Sequence, residues 1–131
     1  MSFYLWLALG GALGTLARFG ISNLMAQQFG AEFPWGTLLV NVSGSFVIGF
    51  FATYTGPEGR FTATATTRHF VMTGLLGGFT TFSSFSLQTL TLARGGEWFR
   101  AGANAGGSFV LCLIAVWLGH LAAVASGAPR T

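Results

Sequence analysis

The sequence predicts a small all-α integral membrane protein, and three observations lead there. Hydrophobic residues make up 52% of the chain and charged residues only 7%, against about 25% charged in an average soluble protein. Four apolar stretches are each long enough to cross a bilayer core of about 30 Å, which takes about 20 residues at 1.5 Å each. The segments between them collect glycine, proline and all three glutamates, Glu32, Glu58 and Glu97, which is turn chemistry outside lipid. The runs lack the alternation of a barrel strand, and only helices or closed barrels satisfy the backbone in a membrane. At 131 residues the chain is expected to form one four-helix domain, 1–131, with little room for a soluble module beside its spans.

The first span is expected over 3–25. Its beginning, "MSFYLWLALGG", has no positive lead-in, so it reads as a span rather than a cleaved secretory signal. The second span is expected over 35–54, the third over 69–92 and the fourth over 99–125. Trp6, Trp35, Tyr54 and Trp98 fall near the ends, as interfacial aromatics do. The connections are "AQQFGAEFP", "TGPEGRFTATATT" and "ARGGEW".

The net charge of +3 comes from arginine and glutamate alone, with no basic patch large enough for nucleic acid. The single cysteine, Cys112, excludes an internal disulfide framework. Four spans place both termini on one side, which then holds Arg60, Arg68 and Arg130, against Arg94 and Arg100 on the other. Arginine and lysine bias decides how helices insert. The near-tie therefore points to dual topology; the plainer alternative is one weakly set orientation.

Polar residues within the spans mark candidate sites. Arg18 lies deep in the first run, where an unpaired arginine costs about 2.5 to 3.5 kcal/mol on insertion scales. It is either a cation that concentrates anions in an aqueous vestibule or a residue snorkelling from a shorter helix. In the second span Thr37, Asn41, Ser45 and Gly49 recur every four residues and share a face. In the fourth, Asn104, Ser108 and Cys112 repeat the spacing, and a narrow hydrated path between the two stripes follows. Gly10 with Gly14, Gly74 with Gly78, and Gly102 with Gly106 supply the small-xxx-small pattern of close helix contacts.

The third span contains "GGFTTFSSFS", Gly77 to Ser86. Two glycines, each about 1 kcal/mol worse than alanine in a helix, precede two β-branched threonines whose hydroxyls compete for backbone groups. A break is expected near the middle of this helix. Such breaks persist where freed backbone lines a cavity, and freed carbonyls suit a cation. After the break Phe82 and Phe85 share a face, with Ser83 and Ser84 turned away. The positive edge of a phenylalanine ring attracts an anion weakly, although packing is the commoner role of such a pair.

"GGFTTFSSFS", with "GTLLVNVSGSFVIGF" and "GGALGTLARFG", resembles the Fluc (CrcB-type) fluoride channel family of bacteria, in order and over nearly the whole chain. The resemblance implies a passive fluoride channel of the bacterial inner membrane, an antiparallel dual-topology homodimer with two pores, and no enzymatic activity. It implies that Phe82 and Phe85 turn ring edges to fluoride, that Asn41 is a pore residue and that Arg18 matches the family's first-span arginine. It also implies a structural sodium ion at the dimer centre, held by backbone carbonyls of Gly77 and Thr80. Ser83, Ser84, Ser108, Cys112 and Thr37 are placed along the polar path. The pattern departs at Asn104 and Cys112, where the family leads one to expect tyrosine and serine.

Two rival readings meet the same residues. A small dual-topology multidrug exporter couples protons through a carboxylate in the membrane, and here every glutamate falls in a connection. An intramembrane serine hydrolase needs a nucleophile with a base, nominally Ser45 with His120.

Overall fold

The computed structural model describes residues 2–57 and 59–127; Glu58 and Arg130 lie outside the described residues. Four helical spans are long and apolar enough to cross a membrane: Ser2–Phe29, Trp35–Tyr54, Ala65–Arg94 and Trp98–Ala125. The first two are α1 and α2. The third comprises α3 (Ala65–His69), a π-helical turn (Phe70–Leu75), α4 (Leu76–Phe79) and α5 (Phe82–Arg94), and the fourth is α6 (Trp98–Ala125).

Helix α1 runs past Met25 to Phe29, because Ala26, Gln27 and Gln28 are good helix formers although the glutamines are not apolar. It stops where Gly30 takes a φ of 83°, the left-handed C-terminal conformation glycine adopts freely. Pro34 precedes α2, where its missing N–H costs nothing.

Helices meet backbone to backbone at glycines. A Cβ added at Gly14 would strike the carbonyl oxygen of Leu75, and one at Gly78 would sit 2.5 Å from that of Gly11. This is how α1 lies against the third span. Between α2 and α6, a Cβ at Gly49 would strike Val116 O and one at Gly119 would strike Phe46 O. Gly102 and Gly106 differ from the expectation: among the described residues nothing lies within 4 Å of a Cβ at either, so this pair makes no close contact with another described helix. Because a carbonyl cannot swing aside like a side chain, Gly14→Ala and Gly119→Ala should each reduce the monodisperse fraction on gel filtration in detergent. Gly95→Ala, where the nearest atom is Thr91 O at 3.4 Å, should leave it unchanged.

The interior is small. Val40 and Asn104 are the largest fully buried side chains, while Leu16, Phe19 and Trp117 are 60 to 68% exposed, a surface suited to lipid or to another membrane chain. At one end of the bundle Phe3 meets His69 edge-on at 5.4 Å and Arg60 donates to Ser126 O at 3.4 Å. Arg68 there donates to Thr55 Oγ1 at 2.7 Å and Ala52 O at 3.3 Å, covering carbonyl oxygen at the end of α2. At the other end Arg100 pairs with Glu32 at 3.3 Å.

Candidate functional site

Between α4 and α5 the helical backbone lapses at two residues. Thr80 (φ −87°, ψ 160°) and Thr81 (φ −155°, ψ 124°) are both extended. In a continuous helix the carbonyl of residue i accepts from the N–H of i+4. Here those donors are diverted. The Thr81 N–H, which would serve Gly77, goes to Asn41 Oδ1 at 2.8 Å. The Ser84 N–H, which would serve Thr80, goes to Thr81 Oγ1 at 3.2 Å, an N-cap for α5. The carbonyls of Gly77 and Thr80 thus lose their helical donors.

Two side chains secure the lapse from other helices. The Asn41 amide donates to Thr81 O at 2.9 Å while its oxygen receives the Thr81 N–H, so one side chain pairs a whole peptide residue as a neighbouring strand would. One hydrogen on Asn41 Nδ2 is left over. Arg18 Nε donates to Gly78 O at 3.0 Å from a partly buried position. Its guanidinium therefore reaches inward to a backbone carbonyl rather than only outward to an interface.

Beside the lapse lies an apolar groove of about 400 Å³. It brings together Phe82, Phe85, Asn41, Ser108 and Cys112, with Gly77 and Thr80 at its wall. The rings of Phe82 and Phe85 stand 5.3 Å apart at 56°. Ser83 and Ser84 are not among its lining residues, nor are Thr37 and Arg18. Ser83 is exposed on α5. Thr37, 5% exposed, lines a separate cavity of about 290 Å³ with Ser22, Gln88 and Thr91, where Gln88 Oε1 is buried without a partner. The groove also contains Met72, Ile48 and Phe109, which apolar residue type alone does not distinguish from packing.

The hydrolase pair does not assemble. His120 Nδ1 lies 2.7 Å from Thr53 Oγ1, while Ser45 lines the groove, about two helical turns before Thr53. Among the described residues the carboxylates, Glu32 and Glu97, pair with Arg100 at one end of the bundle, not within a span.

Comparison with known proteins places this chain in a family. Residues 5–120 match the family described as CrcB-like protein, Camphor Resistance (CrcB). The chain belongs to the CrcB family. Among similar CrcB-type chains, one from Opitutus terrae is 71% identical over 124 residues, covering 95% of this chain and 94% of its own. One from Methylocella silvestris is 62% identical over 122 residues, 93% of each chain. One from Rhodospirillum rubrum is 58% identical over 121 residues, 92% of this chain and 94% of its own. All three relatives carry the name fluoride-specific ion channel FluC. In this CrcB chain, sequence reading did not show the partnership of Asn41 with Thr81. Forty residues separate them, and the only signal was an amide too polar for a packing face.

Proposed function

We propose that the chain is a passive fluoride channel of the bacterial inner membrane, exporting fluoride down its electrochemical gradient as an antiparallel homodimer with two pores. The observation that carries the reading is the fluoride-channel name of relatives 58 to 71% identical over more than nine-tenths of the chain. The groove supports it chemically. Fluoride is small and tightly hydrated, so a path must return hydrogen bonds as water is shed. The spare Asn41 hydrogen, the hydroxyl of Ser108 and the Cys112 thiol can contribute, with the edges of Phe82 and Phe85 as weak partners. Ser83, Ser84 and Thr37, off the groove in one copy, belong to the approaches of the path in this reading, and Arg18 raises anion concentration near its mouth. No pump is needed, since a negative interior favours anion exit by about 2.3 kcal/mol per charge per 100 mV. Purified protein in liposomes should release fluoride far faster than chloride; equal release would remove the reading.

Dimerisation is supported by exposure. Phe82 is 76% exposed and Leu87 63% exposed on the single chain, and Ser83 and Ser86 share that helix in exposed positions, where hydroxyls fit a protein contact better than lipid. A tag at the C-terminus should be accessible from both sides of the membrane in an active sample.

The residues fit a central sodium ion. Gly77 and Thr80 have carbonyls whose helical donors are diverted, and Gly77 is exposed. Those two carbonyls, doubled by a second copy, would hold the ion, which supplies a fixed positive charge at the interface. A Cβ at Gly77 meets only Met72 O, at 3.8 Å, so the single chain tolerates alanine there. Gly77→Ala should accordingly preserve the helices by circular dichroism yet lower the dimer fraction on cross-linking. An unchanged dimer fraction would count against this placement of the interface.

A further inference from the structure

We propose that Asn104 is a positioning residue for the ion path, one that withholds the proton of Ser108 from the groove until a strong anionic acceptor takes it. The inference deepens the fluoride-channel reading and rests on it. Asn104 is 1% exposed and does not line the groove, but it connects two elements that do. Its Nδ2 donates to Thr89 Oγ1 at 2.9 Å, and Thr89 donates in turn to Phe85 O at 2.8 Å. Its Oδ1 receives the Ser108 hydroxyl at 3.3 Å.

The direction of this relay is fixed. Thr89 has one proton, spent on Phe85 O, so its oxygen can only accept from Asn104; that turns Nδ2 to Thr89 and Oδ1 to Ser108. Ser108 then offers the groove lone pairs, which repel an anion. A 3.3 Å separation is long for an O–H···O bond, usually about 2.5 to 3.0 Å, so the proton is weakly held and can swing to an ion. Fluoride, the stronger hydrogen-bond acceptor, takes it more readily than chloride. Competition with Asn104 also keeps the site weak enough for the ion to leave.

The test is fluoride and chloride efflux from liposomes against ion concentration for the full chain. In Asn104→Leu, Ser108 is released to the ion. The half-saturating fluoride concentration should fall about fivefold, the scale of one net hydrogen bond, and the maximal rate should fall with it. Adding Ser108→Ala should return half-saturation to at least the parental value. Thr89→Val, which removes the anchor of the amide, should shift it in the same direction and serves if Asn104→Leu does not fold. A lower maximal rate with unshifted half-saturation in the folded variants would mean Asn104 is merely structural and would overturn the proposal. A parent that releases no fluoride would overturn the channel reading and this inference together.

Discussion

Asn41→Leu should abolish fluoride efflux and lower the yield of folded protein. Leucine matches the branched shape and number of side-chain heavy atoms of asparagine but is bulkier, so the change leaves no cavity. It does remove both partners of Thr81, the acceptor at 2.8 Å and the donor at 2.9 Å. The N–H and carbonyl of Thr81 are then left without protein partners at the wall of an apolar groove. Each orphaned buried group costs about 1 to 3 kcal/mol, and two together approach the whole stability of a small domain. Asn41→Asp should be intermediate, since a carboxylate still accepts the Thr81 N–H but opposes the Thr81 carbonyl with another lone pair. Ser43→Ala is the control: its hydroxyl bonds back to Leu39 O at 2.7 Å, and its loss should leave efflux within about twofold. The measurements are efflux per unit of reconstituted protein and the monodisperse fraction in detergent. Parental values of both for Asn41→Leu would show that Thr81 finds other partners.

The same residues show what could be read from sequence and what could not. The four spans followed from apolar run length, because lipid leaves a helix few alternatives. Their polar ends followed less well: α1 outlasts its hydropathy through two glutamines. Gly77 and Gly78 were expected to weaken the third helix, yet both remain helical within α4 and the extended residues are Thr80 and Thr81. Gly78 serves close approach instead, with Gly11 O only 2.5 Å from where a Cβ would be. The π-helical turn at Phe70–Leu75 had no local signal, since it depends on how the third span meets α1. Asn41 was legible as a polar residue on a helix face, and Ser108 with Asn104 as neighbours four apart on one helix, whereas the partners from other helices, Thr81 for Asn41 and Thr89 for Asn104, are set by register between helices. Thr37 shared the face of Asn41 by spacing but lines another cavity, because a stripe four residues long per step crosses from one neighbouring helix to the next.

Phe82→Ile and Phe85→Ile should each cut fluoride efflux at least about tenfold, a barrier change of only ~1.4 kcal/mol, while leaving folding and dimerisation largely intact. Isoleucine keeps the wall apolar and bulky but lacks the ring quadrupole, whose contacts are worth about 0.5 to 1.5 kcal/mol. Phe82 is the cleaner case. It is 76% exposed on the single chain, so truncating it removes little internal packing, and a large loss of flux per folded dimer would have to come from the groove. Phe85 is partly buried and should add a modest loss of stability. Phe79 provides the contrast. It is outside the groove lining, and its ring lies 3.4 Å from where a Gly44 Cβ would be, so Phe79→Ile should lower thermal stability more than fluoride flux. The decisive quantity is the ratio of efflux to folded dimer across the three variants. If that ratio is parental for Phe82→Ile and Phe85→Ile, the rings only fill space, and the ion must cross along the polar side of the groove, past Asn41, Ser108 and Cys112, without them.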